Sequence, residues 1–260
     1  MHQLEFGLDT ADGLWLHVRK WLPAGELQRV VCVVHGHGEH GGRYEDLARF
    51  LNGLHCAVLA IDLRGHGESE GKRGHVTSYK ALMNDLTLLL EAAAGHHPNL
   101  PVFLYGHSMG GNLVINYTIS RRPHLNGVIA SAPLLRTAFP QSPWKTALAK
   151  AMRYVWPALP LSSGINTQDL SRDAAVVHAY ENDLLVHDRV TPSFLEVLIA
   201  GEWALEHAHA LSVPLLLMHS EADRITSCSA SRRFATAAGD NCTLKTWETV
   251  SYTHLRAHET

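Results

Sequence analysis

A short glycine-rich segment, residues 106–111 (GHSMGG), constrains the fold of this 260-residue chain more than any other feature. An apolar run precedes it at 101–105, and a helical pattern follows at 112–121. This order predicts a strand, a sharp turn and a helix, with Ser108 at the tip of the turn. Gly106 and Gly110 stand where a Cβ would crowd the neighbouring strand or helix, which indicates a strained turn with an exposed Ser108 hydroxyl.

The predicted turn suits nucleophilic chemistry. Backbone N–H groups at a helix N-terminus can hold the oxyanion that forms when a hydroxyl attacks a carbonyl carbon. A serine hydroxyl also needs a base, and the base needs a carboxylate to orient it. In chains with this motif the three residues follow in the order Ser, Asp or Glu, His. We therefore predict an acyl-enzyme on Ser108.

The acid is expected in a loop after a late strand. The apolar run at 215–219 leads into such a loop, where Asp223 is the predicted acid and Glu221 the weaker alternative. Only His254 and His258 follow Asp223 as candidate bases, and His254 is preferred.

The second oxyanion donor is expected from a loop after an early strand. Residues 35–39 (HGHGE) follow the apolar run 30–34, and their glycines allow a close approach to the site. We assign the donors as the backbone N–H groups of His37 and Met109.

The rest of the chain alternates strand and helix patterns after an opening hairpin at 4–21. The predicted strands are 30–34, 57–63, 102–105, 128–132, 215–219 and 243–247; the predicted helices are 44–54, 81–94, 112–120 and 229–238. Such repeats predict an α/β fold with a mostly parallel sheet and helices on both faces. We expect residues 1–133 and 210–248 to form this body.

Residues 134–209 interrupt the alternation and predict a helical lid over the carboxyl edge of the sheet. The segment is rich in proline and in large apolar side chains: Trp144, Leu148, Met152, Trp156, Leu159, Phe194, Leu198 and Trp203. These side chains favour either an apolar substrate site or simple packing of the lid onto the body.

Composition restricts partners and location. A net charge of −3 gives no reason to expect a nucleic-acid partner. There is no predicted signal peptide or membrane span, and the four cysteines read as free thiols, so a cytoplasmic location is expected. No cofactor is predicted, and most of the nineteen histidines are expected on the surface.

Four segments together carry a family resemblance: 35–44, 62–71, 106–111 and 219–225. They resemble the monoacylglycerol lipase and lysophospholipase branch of the α/β-hydrolases over residues 4–248. The resemblance implies hydrolysis of lipophilic esters, plausibly monoacylglycerols, with contact to lipid surfaces. It also implies that Glu39 and Arg43 hold the polar head of the substrate or the oxyanion loop; a Glu39–Arg43 ion pair is the alternative.

The C-terminus departs from that family, which continues after the last strand as Trp, Asp or Glu, Gly, a small or apolar residue, Tyr and His. Here Tyr252 takes the place of the histidine, and residues 249–260 resemble a translated library adaptor. The final helix is expected to be missing, so either a homodimer through uncovered apolar surface or a low melting temperature is predicted. His254, displaced by two positions, is predicted to replace the lost base.

Two other functions compete with this one. His35, His37 and His40, with Glu39, imitate the metal loop of metallohydrolases. A chain without a working base could instead be a catalytically impaired lipid-binding protein with the same fold.

Overall fold

The computed structural model describes residues 1–140, 142–171 and 173–248. Its strands are β1 (His2–Asp9), β2 (Trp15–Leu22), β3 (Arg29–Val34), β4 (Cys56–Ile61), β5 (Val102–His107), β6 (Gly127–Ser131), β7 (Leu161–Ser162), β8 (Arg189–Val190), β9 (Leu215–Ser220) and β10 (Cys242–Trp247). Its α-helices are α1 (Glu45–Gly53), α2 (Tyr79–His96), α3 (Met109–Arg121), α4 (Pro143–Val155), α5 (Ala174–Glu181), α6 (Leu195–Glu206) and α7 (Cys228–Ala238). The alternation predicted for the body is confirmed.

Eight strands form one sheet in the order β1-β2-β4-β3-β5-β6-β9-β10. The opening hairpin is antiparallel, as is its junction with β4; all other neighbours are parallel. All six residues of β4 are buried, because this interior strand of the sheet is covered on both faces. The mostly parallel sheet predicted from the sequence is therefore confirmed.

Helices cover both faces of the sheet. On β3, Val30, Cys32 and Val34 belong to the larger apolar core, together with side chains of α2, α3 and α7. Val31 and Val33 point to the other face, where they share a smaller core with Ala48 of α1. This alternation follows from the two-residue period of a strand.

Parallel strands bring three loops to one edge of the sheet. The loop after β3, the turn after β5 and the loop after β9 all begin at carboxyl ends, and β3 pairs directly with β5. Open α/β sheets bind ligands at this edge.

The insertion between β6 and β9 contains α4, α5, α6 and a short antiparallel pair, β7 with β8. Neither strand of this pair is buried. Val197, Ala204 and Leu205 of α6 lie in the main core, and α6 packs on α3. Although α6 lies within the insertion in sequence, it packs into the core of the α/β body. In the described ranges, no helix is both long and apolar enough to cross a membrane.

Six histidines are exceptions to the expectation that most lie on the surface, and they lie around the site edge and the opening hairpin. The buried histidines are His17, His35, His40, His66, His107 and His219. Loop backbone groups and neighbouring side chains bind the ring nitrogens of several of them, which makes burial of an imidazole tolerable.

Candidate active site

Ser108 has the strained backbone that the glycine pattern predicts. Its φ is 52° and its ψ is −113°, a left-handed conformation that is costly for a residue with a Cβ. The Ser108 N–H donates to the Ser131 carbonyl at 2.9 Å. A Cβ on Gly106 would overlap the backbone of Gly110, and a Cβ on Gly110 would overlap the Val34 carbonyl. The glycines therefore let β5, α3 and β3 meet closely under the serine.

The loop after β3 lies directly against this turn. A Cβ built on Gly36 would come within 3.2 Å of the Ser108 Cβ. The N–H groups of His37 and Met109 donate no hydrogen bond among the contacts of the described residues. Met109 is the first residue of α3, so its N–H also carries the positive end of the helix dipole. Both predicted donors are thus free to bind an oxyanion.

Glu39 fixes the shape of that loop. Its Oε1 accepts from the Gly36 N–H at 2.7 Å and from the Tyr44 hydroxyl at 2.8 Å. The Arg43 Nε lies 3.6 Å from Glu39 Oε2 and the Arg43 Nη1 lies 3.5 Å from Asp183 Oδ2. The ion pair and the loop-holding role, left as alternatives by the sequence, coexist in one network. Glu39 lines the cavity at Ser108, whereas Arg43 is not among its described lining residues.

The lid is joined to the same loop by direct contacts. The His37 Nε2 bonds to the Arg189 carbonyl at 2.8 Å, and the His187 N–H donates to the Gly38 carbonyl at 2.9 Å. The Phe194 ring packs on the His37 ring, with centroids 4.7 Å apart. Burial, reinforced by His187, lowers the pKa of His37 to about 4, so this imidazole is neutral at pH 7. It can therefore contact a substrate without adding charge.

Asp223 is the buried carboxylate at this edge. Its side chain is 3% exposed and lines the cavity with Ser108. Burial alone would raise its pKa, but hydrogen bonds from His219, Thr226 and Ile225 outweigh that effect and lower it. The Ile225 and Thr226 N–H groups donate to Oδ1 at 2.8 and 2.9 Å. Asp223 is accordingly held as an ionised, oriented acceptor.

The alternative acid, Glu221, faces solvent. Its side chain is 47% exposed and pairs with Arg232. It is not among the described residues that line the cavity. Of the two acids considered from the sequence, Asp223 is the one among the described lining residues of the Ser108 cavity, and its role as the acid stays a prediction.

We expect Asp223→Asn to lower kcat for ester hydrolysis by roughly 10⁴-fold, the loss seen when a triad aspartate becomes an amide. An amide can still accept at one oxygen, so the loop keeps its shape while the base loses its orienting charge. The matched control is Glu221→Gln, which should leave kcat within a factor of two or so. Equal losses in the two variants would remove Asp223 from the mechanism.

The predicted base lies outside the described residues, as do His258 and Tyr252. His219 is within 3.5 Å of Asp223, but its ring nitrogens also contact the Ser231 hydroxyl and Thr226. It is absent from the described lining of the cavity, so His254 stays the predicted base.

The metallohydrolase alternative is not supported by the positions of its histidines. The two ring nitrogens of His35 bond to backbone groups, and His37 bonds to a backbone carbonyl. The His40 Nε2 lies 2.9 Å from Asp183. Within the described ranges, the one group of side chains whose atoms could hold an ion is in another part of the fold.

The sequence analysis missed two residues that support the site. Tyr44 binds Glu39, and the Thr226 hydroxyl donates to Asp223 Oδ2 at 2.8 Å. Thr226 could have been found, because a hydroxyl three residues after an Asp is a common turn contact. Tyr44 reads as an ordinary apolar residue at the start of a helix and gave no signal.

A cavity of about 240 Å³ joins these groups. Its described lining comprises Gly36, His37, Glu39, His107, Ser108, Ala132, Leu134, Thr137, Phe139, Ser163, Ile165, Leu170, Tyr180, Val190, Phe194, Leu198, Asp223, Ile225 and Thr226. A strained serine beside two N–H groups and an oriented carboxylate is the arrangement typical of acyl transfer. The fold and the site together define a serine hydrolase of the α/β-hydrolase type.

Comparison with known proteins gives the family. The chain belongs to the family described as serine aminopeptidase, S33, which matches residues 25–256. It is 37% identical to a human monoglyceride lipase over 93% of this chain and 80% of that protein. It is 34% identical to an uncharacterized abhydrolase domain-containing protein of Dictyostelium discoideum, of which it spans only 26%.

A solved structure agrees with these sequences. The monoacylglycerol lipase of Paleococcus ferrophilus superposes with a TM-score of 0.81 at 36% identity, covering 89% of this chain and 88% of that one. The α/β-hydrolase fold and the resemblance to the monoacylglycerol lipase branch are thereby confirmed, and ester hydrolysis is the activity of this class.

Proposed function

We propose that the protein hydrolyses monoacylglycerols through an acyl-enzyme on Ser108. The observation that carries the proposal is the chemical asymmetry around the serine: polar space on one side and apolar space on the other. An amphiphilic ester with a small polar head and one acyl chain matches that asymmetry. The names of the relatives point the same way.

The polar side is a second cavity, of about 270 Å³, that adjoins the first. Both cavities include His37, Ser163 and Tyr180 in their linings. The second adds the charged side chains Glu181, Asp183 and Asp188. Hydroxyl groups of a glycerol head can hydrogen-bond to such carboxylates, whereas an acyl chain would bring methylenes against charged groups and displace their water.

The apolar side is a groove of about 1070 Å³ along the lid. It shares Phe139, Phe194 and Leu198 with the cavity at Ser108, so the two spaces adjoin. Trp144 and Leu148 of α4 extend its wall. A chain of methylenes that leaves the small cavity can therefore stay covered by apolar side chains.

The chemistry follows from the groups at this edge. The Ser108 oxygen attacks the ester carbon and gives its proton to a histidine that Asp223 orients; His254 is our candidate. The N–H groups of His37 and Met109 bind the oxyanion. The glycerol oxygen takes the proton and leaves, and a water molecule then hydrolyses the acyl-enzyme by the same steps. Glu39 positions the loop that carries the His37 N–H and takes no direct part in these steps.

We expect kcat/KM to rise with acyl length from acetate to medium-chain monoacyl esters. Each methylene that enters an apolar pocket contributes on the order of 1–3 kcal/mol at most to transition-state binding, and this increase stops when the groove is filled. The measurement is a series of monoacylglycerols of increasing chain length, with the matching diacylglycerols beside them.

The control for this series is a pair of lid variants. Leu198→Ala opens the wall shared by cavity and groove and should flatten the dependence on chain length. Leu184→Ala changes a side chain that is 98% exposed and should leave it intact. A rate independent of chain length in the unchanged protein would refute the apolar site, and equal turnover of diacylglycerols would refute the small polar head.

Three further proposals concern the surroundings of the protein. Trp144, Val155 and Trp156 are 65%, 80% and 56% exposed, which supports contact of the lid with lipid surfaces. The four cysteines are free thiols, which supports a cytoplasmic location. The third proposal is a homodimer through apolar surface left uncovered by a missing final helix; the segment after residue 248 lies outside the described residues.

A further inference from the structure

A group of charged side chains lies on one face of the opening hairpin, away from Ser108. The register pairs Glu5 of β1 with Arg19 of β2, and Gly7 with His17. Residues two apart on a strand share a face, so Glu5, His17 and Arg19 lie side by side. The loop after β4 brings Glu68 to the same place.

His17 is the most deeply buried member of this group. It is 4% exposed, and neither ring nitrogen makes a hydrogen bond of regular geometry within the described chain. Its Nε2 lies 3.5 Å from Glu5 Oε2 and 3.2 Å from Glu68 Oε2. The three ligand atoms all lie within 4.8 Å of one another.

The two distances from the His17 Nε2 match those in a tetrahedral metal site. Zinc binds histidine nitrogen and carboxylate oxygen at about 2.0–2.2 Å, which places neighbouring ligand atoms of a tetrahedron roughly 3.3–3.6 Å apart. The Nε2-to-oxygen distances at His17 need only small side-chain shifts to reach that arrangement. Two carboxylates and one imidazole leave the fourth position for water.

A buried carboxylate supports His17 from behind. Asp62 Oδ2 lies 3.3 Å from the His17 Nδ1, on the opposite edge of the ring from the two glutamates. Asp62 is itself fixed by the N–H groups of Gly41 at 2.6 Å and Glu68 at 2.9 Å. A carboxylate on the far nitrogen is the usual support of a metal-binding histidine, because it orients the ring and makes Nε2 a better ligand.

The local charge also suits a divalent cation. Glu5, Glu68 and Asp62 carry three negative charges, and Arg19 compensates one through contacts with all three. Zinc binding requires a neutral His17, so the ion displaces any proton on that ring. The group then keeps two negative charges in a partly buried place, and one zinc ion balances them. Arg19 would then remain on Glu68 and Asp62 as a partner of the ligands.

We propose that Glu5, His17 and Glu68 form a zinc-binding site, with Asp62 as the positioning carboxylate. The site is separate from the Ser108 cavity and plays no part in the acyl-transfer steps. Its role is to tie the opening hairpin to the loop after β4. Binding to the folded chain alone should therefore raise its stability.

The experiment is zinc binding to the full chain after treatment with a chelator, measured by competition with a chromophoric zinc indicator. The test variant is Glu5→Gln/Glu68→Gln, which keeps side-chain shape and removes two ligands from a half-exposed surface. The control variant is Glu45→Gln/Asp46→Asn, since Glu45 and Asp46 also share an arginine, Arg49, but have no histidine beside them.

The unchanged protein and the control variant should each bind one more zinc ion per chain than the test variant, or bind it at least tenfold more tightly. The comparison between variants is decisive because the nineteen histidines offer other weak sites. Identical zinc titrations for all three proteins would overturn the proposal and leave the group as an ion-pair network.

Trp15 supplies a second readout. Its ring centroid lies 5.7 Å from that of His17. Cu²⁺ competes for sites of this ligand type and quenches nearby indole fluorescence. Stoichiometric Cu²⁺ should quench the emission component of Trp15. Trp15→Phe removes that component, whereas the test variant should keep the component and lose its quenching by Cu²⁺. Quenching that survives both changes would place the ion elsewhere.

Discussion

Ser108→Ala is expected to abolish ester hydrolysis and all covalent labelling by a fluorophosphonate. Removing a triad serine costs about six orders of magnitude in kcat in a subtilisin-type enzyme, because no other group can form the acyl-enzyme. The far-ultraviolet circular dichroism should be unchanged, since alanine keeps the Cβ and the turn is set by the surrounding glycines. Labelling and turnover measured on the same preparation check both expectations.

The matched control is Ser163→Ala, which removes a second hydroxyl from the lining of the same cavity. This variant should still be labelled. Labelling that persists in Ser108→Ala, or disappears in both variants, would show that the reagent reports another nucleophile and that the assignment of Ser108 is wrong.

The second large effect concerns the base. We expect His254→Ala to reduce kcat by several orders of magnitude, since the proton of Ser108 then has no acceptor within reach. His254 is displaced by two positions from the place where the family resemblance implies the histidine. A loop can accommodate such a shift, because it imposes no alternation of side-chain direction as a strand does.

The companion variant, Tyr252→His, separates a working base from a lost one. If His254 is the base, Tyr252→His should change kcat little, and His258→Ala should have no effect. If His254→Ala is silent while Tyr252→His raises kcat by orders of magnitude, the chain is an impaired enzyme and our assignment fails. Labelling of Ser108 in each variant shows whether the nucleophile itself is activated.

The parts of the structure that depend on nearby residues could be predicted from the sequence. The run CAVLAI of β4 is apolar because the strand is buried on both faces, and its pattern predicts that directly. The turn at Ser108 is likewise determined within six residues. Asp223 could be predicted as the acid because the order of the triad residues and the apolar run at 215–219 point to the loop that follows this run.

Contacts between distant segments could not be predicted in this way. The His37 side chain bonds to a carbonyl 152 residues later in the chain, and nothing near His37 indicates that partner. The same reason explains the histidines wrongly expected on the surface. A histidine between polar neighbours reads as exposed unless the loop that covers it is known. Glu5 and Glu68, which meet only after the sheet has formed, show the same limit.

The backbone at Ser108 has a consequence for the evolution of the protein. Left-handed strain at a residue with a side chain costs on the order of 1–3 kcal/mol, and glycine would release it. Thermal stability therefore favours glycine at position 108, whereas catalysis requires serine there. A population selected only for survival of the fold at high temperature would drift toward glycine at position 108 and lose its chemistry while its shape improved. Serine persists there only while the reaction itself is under selection.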